Sequence, residues 1–274
     1  MTALITIKKD EFQKLAAYIR ANFGIRLKEE KEALVTGRLQ SVLAEHGFTS
    51  FSEYYDYVLG DKTGEASAVL VNRITTNHTF FMREPDHFDF FKESVLPYLK
   101  ETSADRDLRI WSAGCSSGEE PYTLAMLTDE FFGKEKLWWD AKVLATDIST
   151  KVLAKARQGI YSNQSVDPLP PRWKQAYFKK LDAENSAVTD AIKNEVIFRQ
   201  LNLMNRSFPF KKKFDVIFCR NVMIYFDNET KTELVERFYD LTKSGGYLFV
   251  GHAESLNRDT TQYQFVKPAV YRKR

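Results

Sequence analysis

Trp111-Ser-Ala-Gly-Cys-Ser-Ser-Gly-Glu-Glu-Pro121 decides the fold. An apolar run beginning at Arg109 stops at Gly114, and an amphipathic stretch, Glu119–Phe131, starts directly after Gly118. Glycine lets the chain turn tightly and approach a ligand closely at the carboxyl end of a strand, which is where open α/β sheets bind. The same alternation continues outward. A strand is predicted at Lys142–Ala145, a helix at Thr150–Arg157, strands at Val196–Leu201 and Phe214–Cys219, a helix at Thr230–Thr242 and a strand at Tyr247–Gly251. Strands separated by helices imply a parallel sheet with right-handed crossovers, so the expected class is α/β, with a doubly wound, Rossmann-like core.

Two stretches depart from the alternation. Between Gly159 and Glu195, Asp167-Pro-Leu-Pro-Pro171 and short polar-interrupted segments predict a small inserted subdomain at about 160–195. Tyr263–Tyr271 alternates around Lys267-Pro268, which fits two antiparallel edge strands or one interrupted strand. Upstream the apolar spacing is helical throughout. Phe12, Leu15, Ala16, Ile19 and Phe23 form one stripe, stopped by Gly24, and Leu34, Leu39, Val42 and Leu43 another, stopped by Gly47. Ser50-x-x-Glu53 has the form of a capping box opening a third helix, and a fourth is expected over Glu65–Ile74. The expected division is an N-terminal all-α domain, 1–84, and a second domain, 85–274. The first helix of that second domain starts at Glu84-Pro85 and turns Phe88, Phe91, Val95 and Leu96 inward.

Composition narrows the function classes. The 274 residues are 43% hydrophobic and 28% charged, ordinary globular usage, and the formal net charge of +3 is too small to draw nucleic acid or a membrane by its overall field. Met1–Lys8 has no basic segment leading into a long apolar run, and no apolar stretch reaches transmembrane length, so a soluble, cytoplasmic protein is expected. Cys115 and Cys219 are expected as small buried residues, and His46, His78, His87 and His252 lack ligand spacing, so no metal is predicted.

The glycine turn also restricts the ligand. A dinucleotide fingerprint would be G-x-G-x-x-G, but here the middle glycine is missing and Glu119 and Glu120 occupy the helix start. Carboxylates there are favoured by the helix dipole, yet they repel a pyrophosphate. S-adenosylmethionine, with an ammonium, a sulfonium and no phosphate, fits better, and the core becomes that of an S-adenosylmethionine-dependent methyltransferase. Either glutamate can instead serve only as a helix cap. Asp147, at the end of the second strand, can accept both ribose hydroxyls or cap the helix that follows. Asn202 and Asn221, each just past a strand end, carry amides suited to an adenine edge or an amino-acid tail.

Five blocks carry a resemblance: Thr75-Thr-Asn-His-Thr-Phe-Phe-Met-Arg-Glu84, Trp111–Tyr122, Ala145-Thr-Asp-Ile148, Phe214-Asp-Val-Ile-Phe-Cys-Arg-Asn-Val-Met-Ile-Tyr-Phe-Asp227 and Gly251-His-Ala-Glu254. Together, in order and across both domains, they resemble the bacterial chemoreceptor glutamate methyltransferases, the CheR type. The resemblance implies methylation of glutamate side chains on the helical bundle of chemoreceptor cytoplasmic domains, by a monomer, with S-adenosylhomocysteine as by-product. It implies that Asn77, Thr79, Arg83, Glu120, Asp147, Asn202, Leu203, Asn221 and Val222 contact S-adenosylmethionine, and that Arg83 and Tyr225 line the methyl-transfer site. It also implies that the inserted segment is a β-subdomain, which in some relatives grips a receptor pentapeptide; no tethering pattern is legible here. His78, Met82 and Gly114-Cys115 depart from the family pattern without removing an implied contact.

The implied chemistry is reasonable on its own terms. A glutamate carboxylate, with a pKa near about 4.3, is already the nucleophile at neutral pH, so no general base is required. On the residues alone Arg83 can orient a carboxylate or form a surface salt bridge with Glu84, and Tyr225 can donate a hydrogen bond or pack. Phe80-Phe81 is expected in the core, Lys211–Lys213 as a solvated loop, and His252 in a structural hydrogen bond or a catalytic one. Lys28, Lys31 and Arg38 would offer a basic helix face to an acidic receptor helix, interrupted by Glu29, Glu30 and Glu32. An amine methyltransferase would place prolines after the fourth strand, and Asn221-Val-Met-Ile-Tyr225 has none. A non-catalytic S-adenosylmethionine sensor is the other alternative.

Overall fold

The helical segment buries its stripes against one another. In the computed structural model, which describes residues 4–274, helices α1 (Lys9–Phe23), α2 (Glu32–His46), α3 (Phe51–Gly60) and α4 (Glu65–Ile74) enclose Phe12, Leu15, Ile19, Leu39, Tyr54 and Leu70. Residues 1–3 of the stretch examined for a leader lie outside the described residues. Gly24 and Gly47 end α1 and α2 in the left-handed conformation that glycine adopts without steric cost. The capping box at Ser50 is modified. The Ser50 hydroxyl accepts the Glu53 N–H at 3.2 Å, but the Glu53 carboxylate accepts from the N–H and hydroxyl of Thr49, which offers two donors where Ser50 would offer one. Arg38 donates to the carbonyls of Ile74 and Thr75, capping α4.

After the linker the chain forms α5 (Pro85–Phe90), a π-helical turn and α6 (Leu96–Thr102), then β1 (Ile110–Ala113), α7 (Glu119–Phe132), β2 (Val143–Asp147) and α8 (Thr150–Gln158). The inserted segment holds β3 (Ile160–Ser162), α9 (Asn163–Val166), α10 (Pro171–Tyr177), β4 (Phe178–Lys180), β5 (Asn185–Val188) and α11 (Asp190–Lys193), with an antiparallel sheet in the order β3-β5-β4. The core resumes with β6 (Val196–Gln200), β7 (Phe214–Cys219), α12 (Asn228–Leu241), β8 (Thr242–Val250), β9 (Gln264–Lys267) and β10 (Val270–Arg272). β8 begins at Thr242, earlier than the apolar run suggested, through an irregular register opposite Phe214 and Val216.

The main sheet runs β6-β2-β1-β7-β8-β10-β9. Its first five strands are parallel, and β10 and β9 add antiparallel at the edge, which settles the reading of Tyr263–Tyr271 as two strands. The order proceeds outward from β1 in both directions, so the crevice of the doubly wound plan falls at the carboxyl ends of β1 and β7. Alternate residues serve two cores: Ile110, Val216, Phe218 and Phe249 face α5–α7, while Trp111, Ile217, Leu248 and Val250 face α12.

Phe218 stacks on Phe249 at 4.3 Å and on Phe88 at 6.1 Å, tying α5 to the sheet. Phe218→Ala should therefore lower stability by about 3–5 kcal/mol through lost burial and an unfilled cavity. Urea unfolding should show a reduced midpoint at unchanged slope.

Candidate active site

One cavity opens over the carboxyl ends of β1, β2 and β7, walled by Thr75–Phe80 of the linker and by Phe23 and Ile25 of the helical segment. Asn77, Thr79, Arg83, Glu120, Asp147, Asn202, Leu203, Asn221, Val222 and Tyr225 all line it, although they come from stretches far apart in the chain. Their side chains are not equally free. Asn202 donates to the carbonyl of Asn22 at 2.7 Å and accepts from the N–H of Met204, so its amide fastens the end of α1 to the core. Alongside it, the Tyr225 carbonyl accepts the Arg26 N–H at 2.8 Å and Arg20 pairs with Asp227 at 2.6 Å.

The glycine turn is shaped by contact. Gly114 has φ +97°, and a Cβ there would lie 2.4 Å from the Val222 methyl, so only glycine allows β1 and the loop after β7 to converge. Asp147 braces this turn, accepting the Ser116 N–H at 2.8 Å on one oxygen and the Ser149 N–H at 2.9 Å on the other. The α8 cap is Ser149, whose hydroxyl accepts from Val152, so Asp147 is not the cap. Burial pushes the Asp147 carboxyl up against these hydrogen bonds. Each oxygen retains a lone pair for a further donor.

The paired glutamates of α7 diverge. Glu119 turns inward, accepts from the Ser117 hydroxyl and has its carboxyl pushed up by burial, while Glu120 faces the cavity and accepts from Ser112 at 2.7 Å and Arg220 at 3.0 Å. Neither is the N-cap, which is Gly118. Arg83 donates to the His78 carbonyl at 2.7 Å and does not pair with Glu84. The reason is Arg220: the Glu84 carboxylate is taken by Arg220 at 3.0 Å and by the Asn221 amide at 3.0 Å. Burial acts to raise the Glu84 carboxyl, but the Asn221 hydrogen bond and the Arg220 charge outweigh it and hold it below the usual range.

Arg220 is the residue that sequence reasoning passed over. The available signal was an arginine directly after the fully buried strand Phe214–Cys219, since a guanidinium in such a place needs carboxylate partners. One further expectation changes. Phe81 is buried against Tyr161 and Phe178, but Phe80 is 46% exposed and lines the cavity, so only half of that pair belongs to the core. Lys211–Lys213 form an exposed loop as expected, with Lys212 paired to Asp107 at 3.0 Å.

His87 and His252, far apart in sequence, meet with ring centroids 4.7 Å apart beside Glu84, so sequence spacing carried no information about them. Burial and the neighbouring Arg220 charge lower the His87 imidazole to about 4, leaving it neutral at physiological pH. His252 pairs with Asp86 at 3.0 Å and does not line the cavity.

Residues 10–75 match the family described as CheR methyltransferase, all-alpha domain, and residues 77–272 the one described as CheR methyltransferase, SAM binding domain. This chain belongs to the CheR methyltransferase family. A chemotaxis protein methyltransferase of Borreliella burgdorferi is 44% identical over 98% of this chain and 96% of its own. That of Escherichia coli is 35% identical over 99% of this chain and 93% of its own, and chemotaxis protein methyltransferase 1 of Pseudomonas aeruginosa is 37% identical over 94% of each. The cofactor of a CheR methyltransferase is S-adenosylmethionine, and the cavity suits it. Apolar walls from Phe23, Ile25, Leu201 and Leu203 offer a place for a base, Asp147 has lone pairs for vicinal hydroxyls, and Glu120 and Arg83 supply opposite charges for an amino-acid end. Among the described residues, no helix is long and apolar enough to cross a membrane.

Gly114→Ala should weaken S-adenosylhomocysteine binding by about tenfold or more, as the new methyl displaces Val222 in a left-handed turn that itself costs about 1–2 kcal/mol. Gly37→Ala, in open space on α2, should leave binding unchanged; titration calorimetry on both variants is the check.

Proposed function

We propose that this methyltransferase esterifies glutamate side chains on the cytoplasmic helical bundle of chemoreceptors, acting as a monomer. On this reading the chain divides into a helical domain, 1–84, and a methyltransferase domain, 85–274. The carrying observation is that Arg83 and Tyr225 both line the cavity, where, among the described residues, the one lining imidazole is that of exposed His78. A carboxylate acceptor needs a cation and a hydroxyl to hold it but no base to deprotonate it.

S-adenosylmethionine, when bound, supplies an electrophilic methyl on its sulfonium. The protein's part is placement, a term worth up to about 7–11 kcal/mol when the reacting groups are held in line. Asp147 accepts the ribose hydroxyls with the lone pairs not used by Ser116 and Ser149. Asn77, Thr79, Leu203, Asn221 and Val222 shape the surrounding walls, and Asn202 contributes by fastening α1 over the site. Arg83 keeps donors beyond the one given to His78, and these orient a carboxylate. Tyr225, 36% exposed at the cavity, donates its hydroxyl to the incoming glutamate oxygen.

Labelled S-adenosylmethionine incubated with receptor cytoplasmic fragments should give base-labile label, as esters do; base-stable label would indicate transfer to nitrogen, and binding without transfer a sensor. Asp147→Ala should weaken S-adenosylhomocysteine by about tenfold or more and Tyr225→Phe should lower kcat by about tenfold, the scale of one hydrogen bond. The acceptor ionises near about 4.3, so its anionic fraction is complete by about pH 6. The rate should fall with acceptor protonation below about pH 5 and stay flat from about pH 6 to 8, whereas an amine acceptor would give a rate rising through that interval.

A further inference from the structure

The amino-acid end of S-adenosylmethionine carries an ammonium and a carboxylate at a fixed separation, so the groups that receive it must themselves be fixed in relation to one another. Glu120 sits at the start of α7 and Arg83 in the linker after α4; among the described residues the linker reaches the turn before α7 through Ser116 Oγ, which donates to the Asn77 carbonyl at 3.0 Å, but no direct hydrogen bond joins Arg83 to Glu120. The contact that spans them is Arg220. Its Nη1 donates to Glu120 at 3.0 Å, while its Nη2 donates to Glu84 at 3.0 Å and to the backbone carbonyl of Arg83. The guanidinium is buried, with its carbon 5.0 Å from the centroid of the Phe88 ring.

We propose that Arg220 is a positioning residue that sets the separation between Glu120 and Arg83 and thereby the seat of the methionine end of the cofactor. This rests on the reading of Glu120 and Arg83 as the groups that receive that end. On the α7 side, Ser112 holds one Glu120 oxygen at 2.7 Å and Arg220 the other, leaving the carboxylate one orientation. On the linker side, Arg83 lies between Met82 at φ 59° and Glu84 at φ 57°, a backbone that only outside contacts can maintain for such residues. Arg220 makes those contacts, to the Arg83 carbonyl and the Glu84 carboxylate, and Asn221 adds a hydrogen bond to Glu84. A planar fork can serve the two carboxylates and the carbonyl together, which a lysine ammonium cannot.

The test compares two ligands by calorimetry: S-adenosylhomocysteine, which has the amino-acid end, and 5′-methylthioadenosine, which lacks it. Arg220→Met should weaken S-adenosylhomocysteine by about ten- to hundredfold, the loss expected for misplaced charged hydrogen bonds, and change methylthioadenosine by less than about twofold. Arg220→Lys should shift the ratio the same way. So should Glu84→Gln, because Glu84 does not line the cavity and can act only through the clamp. Arg220 itself lines the cavity, so Glu84→Gln is the variant that separates positioning from direct contact, and it carries the test if Arg220→Met does not fold. Equal weakening of both ligands, or of neither, would overturn the proposal. Arg83→Ala and Glu120→Gln are the controls. If they do not discriminate between the ligands, the reading of the amino-acid seat falls and the positioning role with it; if they do and the Arg220 and Glu84 variants do not, the positioning role alone falls.

Discussion

The end of β7 holds the site together. Arg220 and Asn221 leave the sheet side by side, and between them they engage three carboxylates from distant parts of the chain. Arg220 takes Glu84 and Glu120, and Asn221 takes Glu84 through its amide and Glu254 through its backbone N–H at 2.8 Å. Glu254 also accepts from Gly251 and Ile224, so it fixes both the loop after β7 and the loop after β8. Burial pushes its carboxyl up, and the backbone donors work in the opposite direction. Linker, α7, β7 and β8 thus converge on one pair of residues, and the cavity is the space they leave.

Such a cluster is costly unless complete. Isolated buried charges lose several kcal/mol of hydration, and breaking a buried pair typically costs about 3–5 kcal/mol because the partner is left exposed to low dielectric. Asn221, Met82 and Glu84 also occupy the left-handed region, a further expense for non-glycine residues. These costs are met by the two packed faces of the sheet, where Phe88, Phe218 and Phe249 on one side and Trp111 and Phe238 on the other are fully buried. The stable core allows a strained, charged rim to be kept at the strand ends, where binding needs it.

The repeating elements were legible because their periodicity is local. The strand ending at Ala113, the helix opening at Glu119 and the apolar run Phe214–Cys219 each announce themselves within a dozen residues, and Gly114 marks the turn. Of the named cavity residues all but Asn202 and Leu203 fall within the motif blocks, and the fold brings them to one place. What was not legible depends on long-range partners. Arg83 lost its salt bridge because Arg220, far along the chain, claims Glu84, and Asn202 turned its amide to Asn22. His87 and His252 meet only because α5 packs beneath the end of β8. Phe80 and Phe81, identical in type and adjacent, part company because the linker turns between cavity and core.

On the proposed function, the cavity seats S-adenosylmethionine in one orientation. A crystal structure of the protein with S-adenosylhomocysteine tests this most directly. The ribose hydroxyls should lie on Asp147, the ammonium against Glu120, the carboxylate on Arg83 and the sulfur toward Tyr225, with the Arg220 contacts intact. A ligand bound with its adenine at Glu120 and Arg83, or outside the cavity between β1 and β7, would contradict it.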